Sequence, residues 1–144
     1  LASLQGGSGA LEEITEGSNT GYRIAGRAAA NYGDIGNNAV DLSYSGGTST
    51  TRGASGYAST ATGSGTTASG ESSTAMGYYT EASGNYSSAM GMNTVASGNY
   101  ITTMGRNTHA SSKYRTSIGN NIGLKKFNFY CKKKQDIRRR KKSC

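Results

Sequence analysis

The chain has 144 residues, of which 33% are hydrophobic, with 22 Gly and no Pro or Trp. That is one domain or part of one, with too little apolar mass for an ordinary globular core. The formal charge of +8 is unevenly placed: ten Lys and Arg against Asp136 give +9 for residues 124–144, which leaves −1 for residues 1–123. The basic balance therefore says nothing about the first 123 residues.

Residues 1–20 read as a linker or lead-in. Gly6-Gly-Ser-Gly9 is a flexible composition, and Leu11-Glu-Glu-Ile-Thr-Glu16 is acidic. Glu12 and Glu13 are read as a solvated turn or strand end, not a catalytic pair, because neighbours in a strand face opposite ways. Residues 21–53 are expected to form an irregular N-terminal coil or cap. Tyr22-Arg-Ile-Ala alternates, and Val40, Leu42 and Tyr44 share one face of a second alternating run. Tyr32 to Asn38 is turn-rich, and residues 45–53 are a loop.

From Ala54 to Gly123 the chain lines up on itself five times at a 14-residue period, without gaps: ASGYASTATGSGTT, ASGESSTAMGYYTE, ASGNYSSAMGMNTV, ASGNYITTMGRNTH, ASSKYRTSIGNNIG. A strict short period means one unit stacked on copies of itself. Fourteen residues are too few for two helices and a turn, and Ser, Thr, Gly, Asn, Ala and Tyr disfavour helix. Two glycine columns mark two expected corners per coil. One holds Gly56, Gly70, Gly84 and Gly98, with Ser112 as the departure; the other holds Gly63, Gly77, Gly91, Gly105 and Gly119. The segments between are strand length, so each unit is read as one coil with two short strands. The fold class is all-β, a stacked roll with coils about 4.7–4.9 Å apart.

Stacking turns each column into a ladder. The core or interface ladders are Ala54, Ala68, Ala82, Ala96 and Ala110; Ala61, Ala75 and Ala89; and Met76, Met90, Met104 and Ile118. Thr66, Thr80, Thr94 and Thr108 form a further column, and so do Tyr86, Tyr100 and Tyr114. Alternation sets Ala75 opposite Met76, so both strand faces are small or apolar. One Met and a few Ala per coil bury little against the entropy of ordering fourteen residues. A homo-oligomer is therefore expected, with another chain completing the spare face.

Residues 124–144 are read as a disordered basic tail with no heptads. The tail is the one feature suited to nucleic acid, which is not an expected partner. Cys131 and Cys144 lie in it without a His cluster and make no zinc motif. His109 is the sole His and falls in a column with Thr67, Glu81 and Val95, which reads as an exposed turn position. No nucleophile–base set, phosphate loop, cofactor site or metal set is evident, so an enzyme is not expected.

The units resemble the head repeat of trimeric autotransporter adhesins, the YadA-like head. The resemblance rests on Ser73-Thr-Ala-Met-Gly77, Ser87-Ser-Ala-Met-Gly91, Thr80-Glu-Ala-Ser-Gly84 and Thr94-Val-Ala-Ser-Gly98. It implies a left-handed parallel β-roll assembled as a homotrimer. It also implies a surface-exposed structural or binding module that attaches to host, matrix or other cells. The implied location is extracellular, at the bacterial outer membrane, with anchoring through other segments. Outer contacts are expected from Tyr78, Tyr79, Asn93, Arg106 and Asn107. A phage tail-fibre segment that binds a bacterial receptor is the alternative, with a virion location. An ice-binding solenoid, motivated by the Thr66–Thr108 column, is a third reading.

Overall fold

The computed structural model describes residues 11–120 and 123–124. The glycine-rich start and the basic tail from residue 125, with both cysteines, lie outside the described residues. Within them the chain is a β-solenoid, wound so that a longer and a shorter strand alternate.

The longer strands are β1 (Leu11–Glu16), β2 (Asn19–Ile24), β3 (Val40–Tyr44), β5 (Thr60–Ser64), β7 (Thr74–Tyr78), β9 (Ser88–Met92), β11 (Ile101–Arg106) and β13 (Arg115–Asn120). They form one eight-stranded sheet in chain order. The shorter strands are β4 (Gly53–Ala54), β6 (Thr67–Ala68), β8 (Glu81–Ala82), β10 (Val95–Ala96), β12 (His109–Ala110) and β14 (Gly123–Leu124), in a second sheet. All pairings are parallel except the β1–β2 hairpin. In the repeats each residue pairs with its copy fourteen positions on: Ala61 with Ala75, Met76 with Met90, Gly91 with Gly105.

The interior is built of small side chains from both sheets. Ala61, Ala75 and Ala89 are fully buried on the long sheet, and Ala54, Ala68, Ala82, Ala96 and Ala110 are buried on the short one. Hydroxyl residues fill the rest: Ser59, Ser73 and Ser87 on one side, Thr66, Thr80, Thr94 and Thr108 on the other. The fourth repeat exchanges sizes, with buried Ile101 where the first three have Ser and buried Thr103 in the Ala column. Ala ladders therefore need no second chain to cover them. The Met column points the other way. Met76 is 46% exposed, Met90 and Met104 are half-buried, and Ile118 is 62% exposed. The outer face of the long sheet carries this apolar column.

The corners differ from the sequence expectation. A left-handed residue, with φ between 49° and 65°, recurs every seventh position: Ala58, Gly65, Ser72, Tyr79, Tyr86, Asn93, Tyr100, Asn107 and Tyr114. Each coil is thus two seven-residue halves, each with one corner, and only one of these corner residues is Gly. The column Gly56, Gly70, Gly84, Gly98 opens the turn at the first corner, where the N–H of Ser59 donates to the Gly56 carbonyl at 3.2 Å. The column Gly63, Gly77, Gly91, Gly105 and Gly119 is not at a corner at all. It lies within the longer strands, at φ between 108° and 155°. Close approach explains both columns. A Cβ on Gly70 would collide with the Gly84 carbonyl oxygen, and one on Gly77 with that of Gly91. The backbones stack too closely for any side chain there.

Hydrogen bonds run through the corners. The N–H of Tyr79 donates to the Ser64 carbonyl at 2.8 Å, that of Tyr86 to Glu71 at 2.7 Å, that of Asn93 to Tyr78 at 2.8 Å and that of Tyr100 to Asn85 at 2.9 Å. The corners are rungs of the same ladder as the strands, which satisfies the backbone groups that a free loop would leave to water.

At the N-terminal end the Ala column is continued by charge. Arg23 pairs with Asp41 in register, and Asp41 with Ala61. Asp41 is fully buried and Arg23 is 2% exposed. The Arg23 guanidinium lies 3.4 Å from Asp41 and 3.1 Å from Glu16, and it covers the Tyr32 ring at 4.7 Å. The Asp41 carboxylate also accepts from the backbone and hydroxyl of Ser43, at 2.9 and 2.6 Å. Ser43 and Glu16 thus hold the two charged groups, while Arg23 Nε and Asp41 Oδ2 face each other as charges without a hydrogen bond between them. Leu11–Glu16, part of the lead-in, is a full strand, and its antiparallel hairpin covers the edge of β2.

Gly84→Ala tests the close approach directly, because its backbone carries no positive φ and the added methyl meets the Gly98 carbonyl oxygen. We expect a loss of about 3 kcal/mol in urea unfolding. Gly47→Ala, with nothing within 4 Å of the new methyl, is expected to stay within about 0.5 kcal/mol.

Candidate binding surface

Three outer surfaces follow from this winding. The first is the outer face of the long sheet. Leu42, Thr62, Met76, Met90, Met104 and Ile118 make one column across six strands. Thr60, Thr74, Ser88 and Thr102 flank it on one side. The result is an apolar stripe bordered by hydroxyls, with no charged residue inside it.

The second surface is the corner where the long sheet ends. Tyr78, Met92 and Arg106 are in register at the strand ends, and Tyr79, Asn93 and Asn107 are the left-handed residues that follow. The five residues singled out from the sequence, Tyr78, Tyr79, Asn93, Arg106 and Asn107, therefore lie along one edge, and all five are exposed. Tyr78 and Tyr79 pack edge to face at 4.5 Å, and the Arg52 guanidinium lies 5.3 Å over the Tyr79 ring. The side-chain amide of Asn93 donates to Asn107 at 3.2 Å. Sequence reasoning missed Met92 and Arg52 here. Met92 was legible from the period, whereas Arg52 reaches Tyr79 from the loop before the repeats, outside any period.

The third surface is the opposite corner. Tyr86, Tyr100 and Tyr114 stack with ring centroids 5.2 and 5.1 Å apart and planes within 11° and 8°. A left-handed conformation costs an L-residue other than Gly about 1–2 kcal/mol. An aromatic pair is worth about 0.5–1.5 kcal/mol, which offsets part of that cost. Beside the rings runs the column Tyr57, Glu71, Asn85, Asn99 and Lys113. The Asn85 side-chain oxygen accepts from the Glu71 N–H, and that of Asn99 from the Asn85 N–H, both at 3.1 Å. The Tyr86 hydroxyl donates to the Glu71 carboxylate at 2.9 Å. This bond, and then the nearby negative charge, raises Tyr86 above the ordinary 10.0. Glu13 does the same to Tyr22 on the N-terminal hairpin, through a 3.1 Å hydrogen bond.

The remaining candidates are placed as follows. His109 is exposed on β12, in register with Val95. Thr66, Thr80, Thr94 and Thr108 are at most 1% exposed, so this column faces inward and cannot meet ice. That removes the observation behind the ice-binding reading. An open cleft of about 430 Å³ beside the cap is lined by Asn19, Tyr32, Gly33, Asp34, Thr50 and Ser55, with Asp34 as its single carboxylate. Among the described residues no cluster of His, Cys, Asp and Glu is arranged to hold a metal ion.

Residues 54–80 and 82–100 match the family model of the YadA head domain repeat, in two copies. The matched residues coincide with the regular part of the stack. No curated protein and no solved structure matches the chain.

Removing the Glu71 carboxylate in Glu71→Ala is expected to return Tyr86 towards 10.0, because the two largest causes of its upward shift, the hydrogen bond and the charge of Glu71, go together. Ring resonances followed by NMR through alkaline pH read this out. An unchanged Tyr86 midpoint would contradict the pairing.

Proposed function

We propose that this chain, built around YadA-like head repeats, is a structural and binding module of a trimeric adhesin displayed on the bacterial cell surface. The observation that carries the proposal is the open stripe of Leu42, Met76, Met90, Met104 and Ile118. A single chain fills its own interior with Ala, Ser and Thr, yet leaves this largely apolar column, interrupted at Thr62, on its outer face. Extended apolar strips on soluble proteins mark interaction sites. Methionine side chains are flexible enough to interdigitate with copies of themselves.

Three copies with these stripes turned towards a common axis bury the column and leave the corners outside. Tyr78, Tyr79, Asn93, Arg106 and Asn107 then face outward as contacts for a protein or glycan on a host surface, in matrix or on a neighbouring cell. Aromatic and amide side chains suit such contacts because they lose little entropy on binding. The module needs no cofactor for this role.

Light scattering after gel filtration tests the assembly. The chain is expected to elute with three times its 14.9 kDa mass. Met90→Glu, which puts a charge in the middle of the stripe, is expected to abolish the trimer, because an unpaired buried charge costs several kcal/mol. A folded monomer for the parent chain would contradict the proposal. Attachment is then tested with beads coated with the trimer, which are expected to adhere to cells or matrix.

A further inference from the structure

The edge where the long strands end carries charge of one sign. The Arg27 guanidinium lies 5.1 Å over the Tyr44 ring, and that of Arg52 lies 5.3 Å over Tyr79. Arg52 also donates to the Ser45 hydroxyl at 3.1 Å. Arg106 is exposed at the end of β11. Tyr44, Ser64, Tyr78, Met92 and Arg106 close successive strands in register. The row therefore spans four rungs, about 19 Å. Among the described residues none of these three arginines is ion-paired, whereas Arg23 has both Glu16 and Asp41. The Arg27 Nε is shielded from water and has no hydrogen-bond partner. Neither the strand-end row, which continues to Asn120, nor the corner row of Gly65, Tyr79, Asn93 and Asn107 contains a carboxylate. Glu81, two residues after Tyr79, is on the short sheet beyond the buried Thr80.

We infer that this edge binds an extended anionic glycan, with its sulfate or carboxylate groups on Arg27, Arg52 and Arg106 and its hydroxyls on Ser64 and Asn93 between them. The inference deepens the attachment reading above and rests on its placement of this edge outside the assembly. Three observations select the ligand. A guanidinium laid on a ring keeps its N–H edge for a bidentate oxyanion, and here no protein carboxylate takes that edge. The cations are spread along a row, so a small anion meets one of them and an extended polymer meets all three. A peptide cannot join as a further strand, because the N–H groups of Gly65, Tyr79, Asn93 and Asn107 already donate to the preceding coil. The polar groups left between the arginines are a side-chain hydroxyl and an amide, which suit sugar hydroxyls.

The basic residues 125–142 attract any polyanion, so the readout has to be site-resolved. A heparin-derived hexasaccharide is titrated into the full chain and followed by NMR at the Nε–H groups of Arg27, Arg52 and Arg106 and the ring of Tyr79. Saturable shifts with one shared midpoint are expected. Arg106→Gln changes an exposed side chain and is expected to weaken the midpoint read at Arg52 about fivefold, with unchanged circular dichroism. Lys113→Gln, on the opposite corner, is expected to leave that midpoint unchanged. Shifts confined to residues 125–142 would overturn the site, and adhesion of the coated beads in that case would leave the attachment reading standing without this ligand. Equal loss in the two variants, or none in Arg106→Gln, would overturn the joint use of the arginines. A hexaglutamate peptide that shifts the same groups with the same midpoint would overturn the choice of a glycan.

Discussion

The structure depends on one constraint: each backbone segment must hydrogen-bond to its copy in the next coil, through the corners as well as along the strands. Gly65, Tyr79, Asn93 and Asn107 each donate to the coil before at 2.8–2.9 Å. A ladder that continues through the corners fixes the period, since an inserted residue would break it on both sheets. It also fixes composition. The coils approach so closely at Gly56, Gly70 and Gly84, and again at Gly63, Gly77 and Gly91, that a Cβ would enter the neighbouring glycine's carbonyl oxygen. The interior between the two sheets has room for Ala, Ser and Thr and for little else. A chain with 33% hydrophobic residues can order itself because its backbone is almost fully paired, not because it buries large side chains.

An interior so poor in apolar mass shifts the remaining stabilisation to the outside and to the ends. On the outside, the long sheet keeps its large side chains, the Met column and its Leu42 and Ile118 flanks, facing away from the chain's own core. At the N-terminal end, an unpaired parallel strand would be a template for further chains. Here β1 turns back antiparallel over β2, and Arg23 and Asp41 replace alanine in the last rungs, with Glu16 paired to Arg23 from β1. The buried charges select this end of the column, since neither fits against a further layer of alanine without its partner.

Much of this was legible because stacking converts sequence period into space. The fourteen-residue register, the two strands per coil and the opposition of Ala75 to Met76 follow from the alignment alone. The corners were not legible. A left-handed corner is ordinarily assigned to glycine, yet here it falls on Tyr79, Tyr86 and Asn93, while Gly77 and Gly91, also at positive φ, serve close approach inside strands. The seven-residue half-period was hidden for the same reason, because its corner column mixes Ala, Gly, Ser, Tyr and Asn. The cap was also hidden. Residues 21–53 hold coils of other lengths, so Asp41 had no column to be read against, and Val40, Leu42 and Tyr44 turned out to be the outer face of β3 while Asp41 and Ser43 point inward. A buried carboxylate can be read from sequence only when its partner is known, and Arg23 lies eighteen residues away in sequence but in the adjacent rung.

Amide hydrogen exchange of the corner residues tests the continuous ladder most directly. If the corners are rungs, the amides of Tyr79, Tyr86, Asn93, Tyr100 and Asn107 are protected to the same degree as those of Ala75 and Ala89 in the adjacent strands, and they open only with the whole stack. Corner amides that exchange at the rate of an unstructured chain, beside protected strands, would contradict the account: the coils would then be joined by loops, and the period would owe nothing to them.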